Sequence, residues 1–155
     1  MDDLIAYLLN NNITISSMES LTGGLFAALI TSYSGVSKIY SGSLVTYSDS
    51  VKMTLGHVDP TIINKHGAIS LETAQAMAEN CQKLFKSDIA VSFTGNAGPD
   101  AQEAKPVGLI YTCIYIYNRY YLYEDHLVGD RSSIRETIIN KTCERLVKNL
   151  GIMGI

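Results

Sequence analysis

Ser20, Lys52 and Tyr47 are the side chains in this sequence best placed to make a nucleophile and its base. Ser20 lies in Met18-Glu19-Ser20-Leu21-Thr22-Gly23-Gly24, between the β-branched run Ile13-Thr14-Ile15 and the apolar run Leu25 to Ile30. That order predicts strand, sharp turn and helix, with the serine in the turn and two glycines opening the helix. A helix start offers free backbone N–H groups and the positive end of the helix dipole, a setting that holds an anion or a developing oxyanion. Taken alone, the stretch reads first as a helix cap supplied by Ser20 or Thr22. Lys52 sits one helical turn beyond Ser48. A partly buried lysine loses its charge easily and can serve as a general base, and with a serine it makes a Ser–Lys nucleophile. Tyr47 could relay or orient the proton. Alone, Lys52 reads as a solvated surface charge and Tyr47 as an aromatic closing the core rim.

Two further stretches carry polar chemistry. In Thr94-Gly95-Asn96-Ala97-Gly98-Pro99, glycines let the backbone approach a ligand closely. Arg131 and Arg135 lie one turn apart near the start of the last helix, a pairing suited to a phosphate or carboxylate, although taken alone they read first as a solvated helix face. His57, His66 and His126 show no metal-ligand spacing, and the sequence has no Cys/His cluster, no phosphate-binding P-loop and no dinucleotide fingerprint. We therefore expect no metal and no cofactor. The tyrosines of Tyr111 to Tyr123 lack accompanying basic residues, so they predict a pleated hairpin rather than base stacking.

The elements that must position these residues follow from periodicity and punctuation. A short helix spans Asp2 to Leu9 and ends at Asn10-Asn11-Asn12; a strand follows at Ile13 to Ser17, then a helix from about Thr22 to Ser32. Tyr40 to Tyr47 reads as a strand, Ser48-Asp49 caps a helix through Leu55, and Asp59-Pro60 starts another helical turn. Ser70 caps a longer helix whose stripe Ala74, Met77, Ala78, Cys81, Leu84 and Phe85 recurs at three and four. Asp88 to Phe93 is a short buried strand, Gly108 to Tyr117 and Tyr120 to Leu127 form a hairpin around Asn118-Arg119, and a final helix runs to about Leu150. The expected architecture is an α/β three-layer α/β/α sandwich with a mixed central sheet, in a single domain over residues 1–155. Ligands collect at the carboxyl ends of strands in such sheets, which is where Ser20, Tyr47 to Lys52 and the Thr94 loop fall.

Composition limits the partners. The chain has 155 residues, 46% hydrophobic and 17% charged, enough for one buried core. A net charge of −3 carries no electrostatic footprint for nucleic acid. Cys81, Cys113 and Cys143 are widely spaced, which predicts reduced thiols and a cytoplasmic setting. The acidic start Met1-Asp2-Asp3 is unlike an export signal, and no apolar run is long enough to span a bilayer, so no membrane association is expected. The apolar hairpin makes a homodimer the expected assembly.

Read together, the motifs resemble those of the CinA C-terminal domain family, whose stand-alone members include nicotinamide mononucleotide deamidases of the PncC type. The resemblance runs almost end to end, through Glu19-Ser20-x-Thr22-Gly23-Gly24, Val45-Thr46-Tyr47-Ser48-x-x-x-Lys52, His66-Gly67-Ala68-x-Ser70, Thr94-Gly95-x-Ala97-Gly98-Pro99-Asp100, Lys105-Pro106-Val107-Gly108 and Gly129-Asp130-Arg131. It implies an amidohydrolase acting on the carboxamide of nicotinamide mononucleotide. Ser20 would be the nucleophile, Lys52 its base, Tyr47 a proton relay or positioning group and Thr94 a further active-site residue. Glu19, Thr22, Gly23, Gly24, Gly95 and Gly98 would line the substrate, and Arg131, in preference to Arg135, would take the phosphate. Backbone amides near Thr22 to Gly24 would form the oxyanion hole. The alternative is a catalytically inactive copy that binds a partner in competence or damage response. Three positions depart from the family pattern: Leu21 stands for cysteine, Asp49 for asparagine, and Ala101-Gln102 for glycines. Of these Asp49 bears on chemistry, because a carboxylate beside Lys52 would tend to hold it protonated.

Overall fold

A computed structural model describes residues 1–152. Its strands are β1 (Ile15–Glu19), β2 (Tyr40–Val45), β3 (Ile89–Gly95), β4 (Leu109–Ile116) and β5 (Arg119–His126), in one sheet of order β2-β1-β3-β4-β5. β2, β1 and β3 run parallel, whereas β4 and β5 are antiparallel, so the sheet is mixed. Helices α1 (Asp2–Asn11), α2 (Leu25–Thr31) and α6 (Arg131–Asn149) contribute to the larger core, with Leu4, Leu8, Phe26, Ile30, Ile138 and Leu146 packed on Ile15, Val91, Phe93 and Ile114. On the opposite face, α5 (Leu71–Phe85) sets Ala74, Met77, Ala78 and Cys81 against Met18, Ala90 and Cys113. Alternate residues of β1 and β3 thus feed the two cores, as strand geometry requires. This is the expected three-layer sandwich.

Local signals account for most element starts. Ser48, Asp59, Ser70 and Asp130 accept hydrogen bonds from backbone N–H groups at the starts of α3 (Asp49–Thr54), α4 (Pro60–His66), α5 and α6 respectively. Two boundaries differ from expectation. The hairpin turns on Tyr117 and Asn118, whose φ angles are 45° and 67°, rather than on Asn118-Arg119. More consequentially, α2 begins at Leu25, three residues later than its apolar pattern suggested. Gly23 and Gly24 hold positive φ of 57° and 96°, and Gly24 is the N-cap residue, so neither Ser20 nor Thr22 caps this helix. The three cysteines are free and buried, and no described helix is long and apolar enough to cross a membrane.

Candidate active site

The parallel strands β2, β1 and β3 end on the same edge of the sheet, and the turns that follow them converge. Ser20 leaves β1 with its N–H bonded to the Phe93 carbonyl of β3 at 3.0 Å, which fixes the serine over the end of the neighbouring strand. Lys52 projects from α3 directly after β2, and its Nζ donates to Ser20 Oγ at 3.1 Å. The lysine is only 2% exposed and Ser20 only 7%. Burial pushes the Lys52 ammonium below the ordinary lysine range, against the opposing pull of Asp49 and Glu103. Asp49 stands 3.9 Å from Nζ but is more than half exposed, so water screens it. Asp49 does favour the charged ammonium as expected, but desolvation by burial is the larger effect and the net shift is downward.

Glu19 does something other than line a ligand site. Its carboxylate is fully buried and accepts from the N–H groups of Gly24, Phe26 and Ala27 at 3.0 to 3.2 Å, and from the Ser17 hydroxyl. A carboxylate at a helix N-terminus satisfies the orphan donors and complements the dipole. The consequence reaches the oxyanion hole. The Gly24 N–H is spent on Glu19 and the Gly23 N–H on the Ser20 carbonyl, so the glycines shape the turn but offer no donor. Among the described residues, the N–H groups of Leu21 and Thr22 have no hydrogen-bond partner, and they follow the serine directly. Of these two residues only Leu21 lines the cleft, whereas Thr22 is fully buried, so the donors expected at Thr22 to Gly24 are not at the cleft surface. The Thr22 carbonyl accepts from Arg135 Nη2 at 3.0 Å, so Arg135 braces the turn from behind. Arg135 is not among the cleft-lining residues.

A cleft of about 60 Å³ opens over Ser20, lined also by Leu21, Tyr47, Gly95, Asn96, Ala97, Gly98, Asp100, Gln102 and Arg131. Gly95 and Gly98 sit where expected, and a Cβ on Gly98 would lie 2.7 Å from Val107 Cγ1. Thr94 does not line the cleft. It is buried and its hydroxyl donates to the Ala68 carbonyl at 2.7 Å, tying the 67–70 connector to β3. Glu103 clamps the same connector through the Ala68 and Ile69 N–H groups, and Lys105 Nζ bonds both Glu103 and the Ile69 carbonyl. Sequence reasoning missed Asn96. Its side chain donates to the Gln102 and Lys105 carbonyls and accepts from the Gln102 N–H, so it holds the whole loop against the cleft. The only signal was its place inside the glycine-rich run. At the rim, Arg131 donates to the Gly98 carbonyl at 2.7 Å and to the Tyr47 hydroxyl at 2.9 Å.

A buried lysine bonded to a serine, beside the unpaired N–H of the cleft-lining Leu21, has the parts of an acyl-transfer site. The family model for the CinA C-terminal domain matches residues 1–150. The chain belongs to the CinA C-terminal domain family. A relative in Clostridium novyi (strain NT), provisionally named a competence-damage inducible protein, is 42% identical over 149 residues, covering 96% of this chain and 36% of the relative. One of the same provisional name in Bacillus subtilis (strain 168) is 41% identical over 138 residues, covering 89% of this chain and 33% of the relative. The chain thus spans about a third of the length of the curated relatives it matches. Among solved structures, the competence damage-inducible protein A of Klebsiella pneumoniae superposes with a TM-score of 0.94 at 23% identity, over 99% of this chain and 96% of that one. The competence/damage inducible protein CihA of Agrobacterium tumefaciens gives 0.90 at 29% identity, over 95% and 91%. These likenesses carry the family and the fold.

Proposed function

We propose that this CinA-family chain is a Ser–Lys amidohydrolase that converts nicotinamide mononucleotide to nicotinate mononucleotide and ammonia. The observation that carries the reading is the direct bond between Lys52 Nζ and Ser20 Oγ in a buried setting that favours the neutral amine. Lys52 takes the serine proton as Oγ attacks the carboxamide carbon. The tetrahedral oxyanion is held by the backbone N–H of Leu21, the residue after the serine that lines the cleft. Lys52 then returns the proton to the departing ammonia, leaving an ester on Ser20 that water hydrolyses by the same route. The cleft runs from Ser20 to Tyr47 and Arg131, so an amide placed over Ser20 leaves the ribose and phosphate toward the arginine end.

The test is direct. Purified protein is incubated with nicotinamide mononucleotide, and ammonia and nicotinate mononucleotide are quantified. Turnover by the wild type and its loss by several orders of magnitude in Ser20→Ala are expected. No product from the wild type at micromolar enzyme would refute the assignment.

A further inference from the structure

Arg135 stands behind the serine turn and not in the cleft, so its charge does not meet a substrate directly. Its Nη2 donates to the Thr22 carbonyl at 3.0 Å, and that carbonyl also accepts from the Leu25 N–H at 3.0 Å. The Thr22 carbonyl and the Gly23 N–H belong to one peptide group. The Gly23 N–H donates in turn to the Ser20 carbonyl at 3.0 Å. The peptide group that carries the Ser20 carbonyl ends in the Leu21 N–H. Leu21 lines the cleft, and its N–H has no partner among the described residues. A guanidinium, two hydrogen-bonded peptide groups and the donor offered to the oxyanion thus form one unbroken series.

We infer that Arg135 is a positioning residue that polarises the Leu21 N–H through the Thr22–Gly23 and Ser20–Leu21 peptide groups. This rests on the amidohydrolase reading for what the donor meets, and on the hydrogen-bond series for the coupling. The direction is right at each link. A cation bonded to a carbonyl oxygen draws electron density toward it, which makes the N–H of the same peptide a stronger donor. The Gly23 N–H then pulls harder on the Ser20 carbonyl, and the Leu21 N–H gains in the same way. The cation is not neutralised locally. Among the described residues no carboxylate pairs with Arg135, and the buried carboxylate of the turn, Glu19, is committed to the N–H groups of Gly24, Phe26 and Ala27. Stability alone accounts poorly for the arrangement, because Arg135 Nε is buried without a partner among the described residues and an orphan donor costs free energy. A Cβ on Gly23 would come within 3.5 Å of Nη2, so the guanidinium lies against the turn itself. The charge is in place before any substrate arrives, so none of it has to reorganise during the reaction.

The test uses the full chain and two independent readouts. Arg135→Met and Arg135→Gln remove the charge, whereas Arg135→Lys keeps it. The first readout is the amide proton shift of Leu21 and Gly23 by ¹H–¹⁵N NMR without substrate. The Asn96 N–H, bonded to the Leu109 carbonyl outside the series, is the reference. An amide proton that loses polarisation moves upfield, so both amides are expected upfield in the neutral variants and near their wild-type positions in Arg135→Lys, with Asn96 unmoved. The second readout is kcat and KM for nicotinamide mononucleotide. Loss of a whole oxyanion donor lowers kcat about 10²- to 10³-fold, and bonds in a chain strengthen one another by roughly 10 to 30% each. The neutral variants are therefore expected to lose roughly two- to eightfold in kcat with KM held, and Arg135→Lys to stay near the wild type. An unmoved Leu21 amide in a folded neutral variant, or a kcat as low in Arg135→Lys as in Arg135→Met, would overturn the inference. Failure of both neutral variants to fold would assign Arg135 to the fold and overturn it equally. Upfield Leu21 and Gly23 amides in a protein whose wild type does not turn over nicotinamide mononucleotide would support the coupling and refute the deamidase assignment.

Discussion

Replacing Asp49 with asparagine should speed the proposed deamidation on the acid side of its pH profile, because the carboxylate opposes the burial that lowers the Lys52 pKa. Asp49 Oδ1 lies 3.9 Å from Nζ. Two unit charges at that separation interact by about 1 kcal/mol in a water-like dielectric and by several times more in a protein interior. Since Asp49 is more than half exposed, the water end of that range applies, and measured pairs of this kind contribute roughly 0.2 to 1 kcal/mol. The carboxylate favours the charged ammonium, so removing it lowers the lysine pKa further. The neutral base is the active form, and its fraction rises with pH. Wild-type kcat/KM should therefore climb along an acid limb set below the ordinary lysine range, and the variant limb should lie at lower pH. Below the limb, the variant should be faster by up to about fivefold, with the plateau unchanged. The assay is kcat/KM for nicotinamide mononucleotide against pH at low salt for both proteins. In about 1 M salt, where screening acts over roughly 3 Å, the difference should shrink. A variant limb that stays in place or moves to higher pH would refute the assignment of Lys52 as the base.

The remaining expectations concern stability. Glu19→Gln should cost roughly 2 to 4 kcal/mol, since Glu19 is fully buried on three backbone N–H groups and an amide supplies one acceptor oxygen while turning its NH₂ toward them; denaturant unfolding reads this, and a loss below about 1 kcal/mol would contradict the capping role. Lys52→Met should abolish turnover yet raise Tm by a few degrees, because it removes the cost of burying an ammonium, about 1 kcal/mol or more. The sign with pH follows from the lowered folded-state value: the penalty is complete below that value and fades as pH rises from it toward the ordinary 10.5, so the methionine advantage should be larger at pH 6 than at pH 10. A methionine variant less stable than the wild type at every pH would contradict the desolvation argument.

The amino-acid sequence by itself determined the elements and their order. Caps at Ser48, Asp59 and Ser70 are local chemistry, in which a side-chain oxygen meets the N–H two or three residues ahead, and all three are found as the residues predict. The apolar stripe of α5 and the buried run of β3 likewise follow from periodicity alone. Ser20 at a strand end was legible for the same reason. What the sequence could not decide was which donors and acceptors meet across the chain, since that depends on strand order. The order β2-β1-β3 places α3 beside the β1 turn, and only then does Lys52 become buried against a serine 32 positions earlier. The sequence showed the direction in which Asp49 acts on that lysine, but only the tertiary environment supplied the larger, opposing effect of burial. Glu19 and Thr94 show the same limit. Both lie in motifs that look ligand-facing, and both are committed inward, Glu19 to the start of α2 and Thr94 to the Ala68 carbonyl, because buried polar groups must be satisfied. Tyr47 and Arg131, 84 positions apart, meet only through the fold. The serine turn was written in the residues, while the buried lysine hydrogen-bonded to it came from packing.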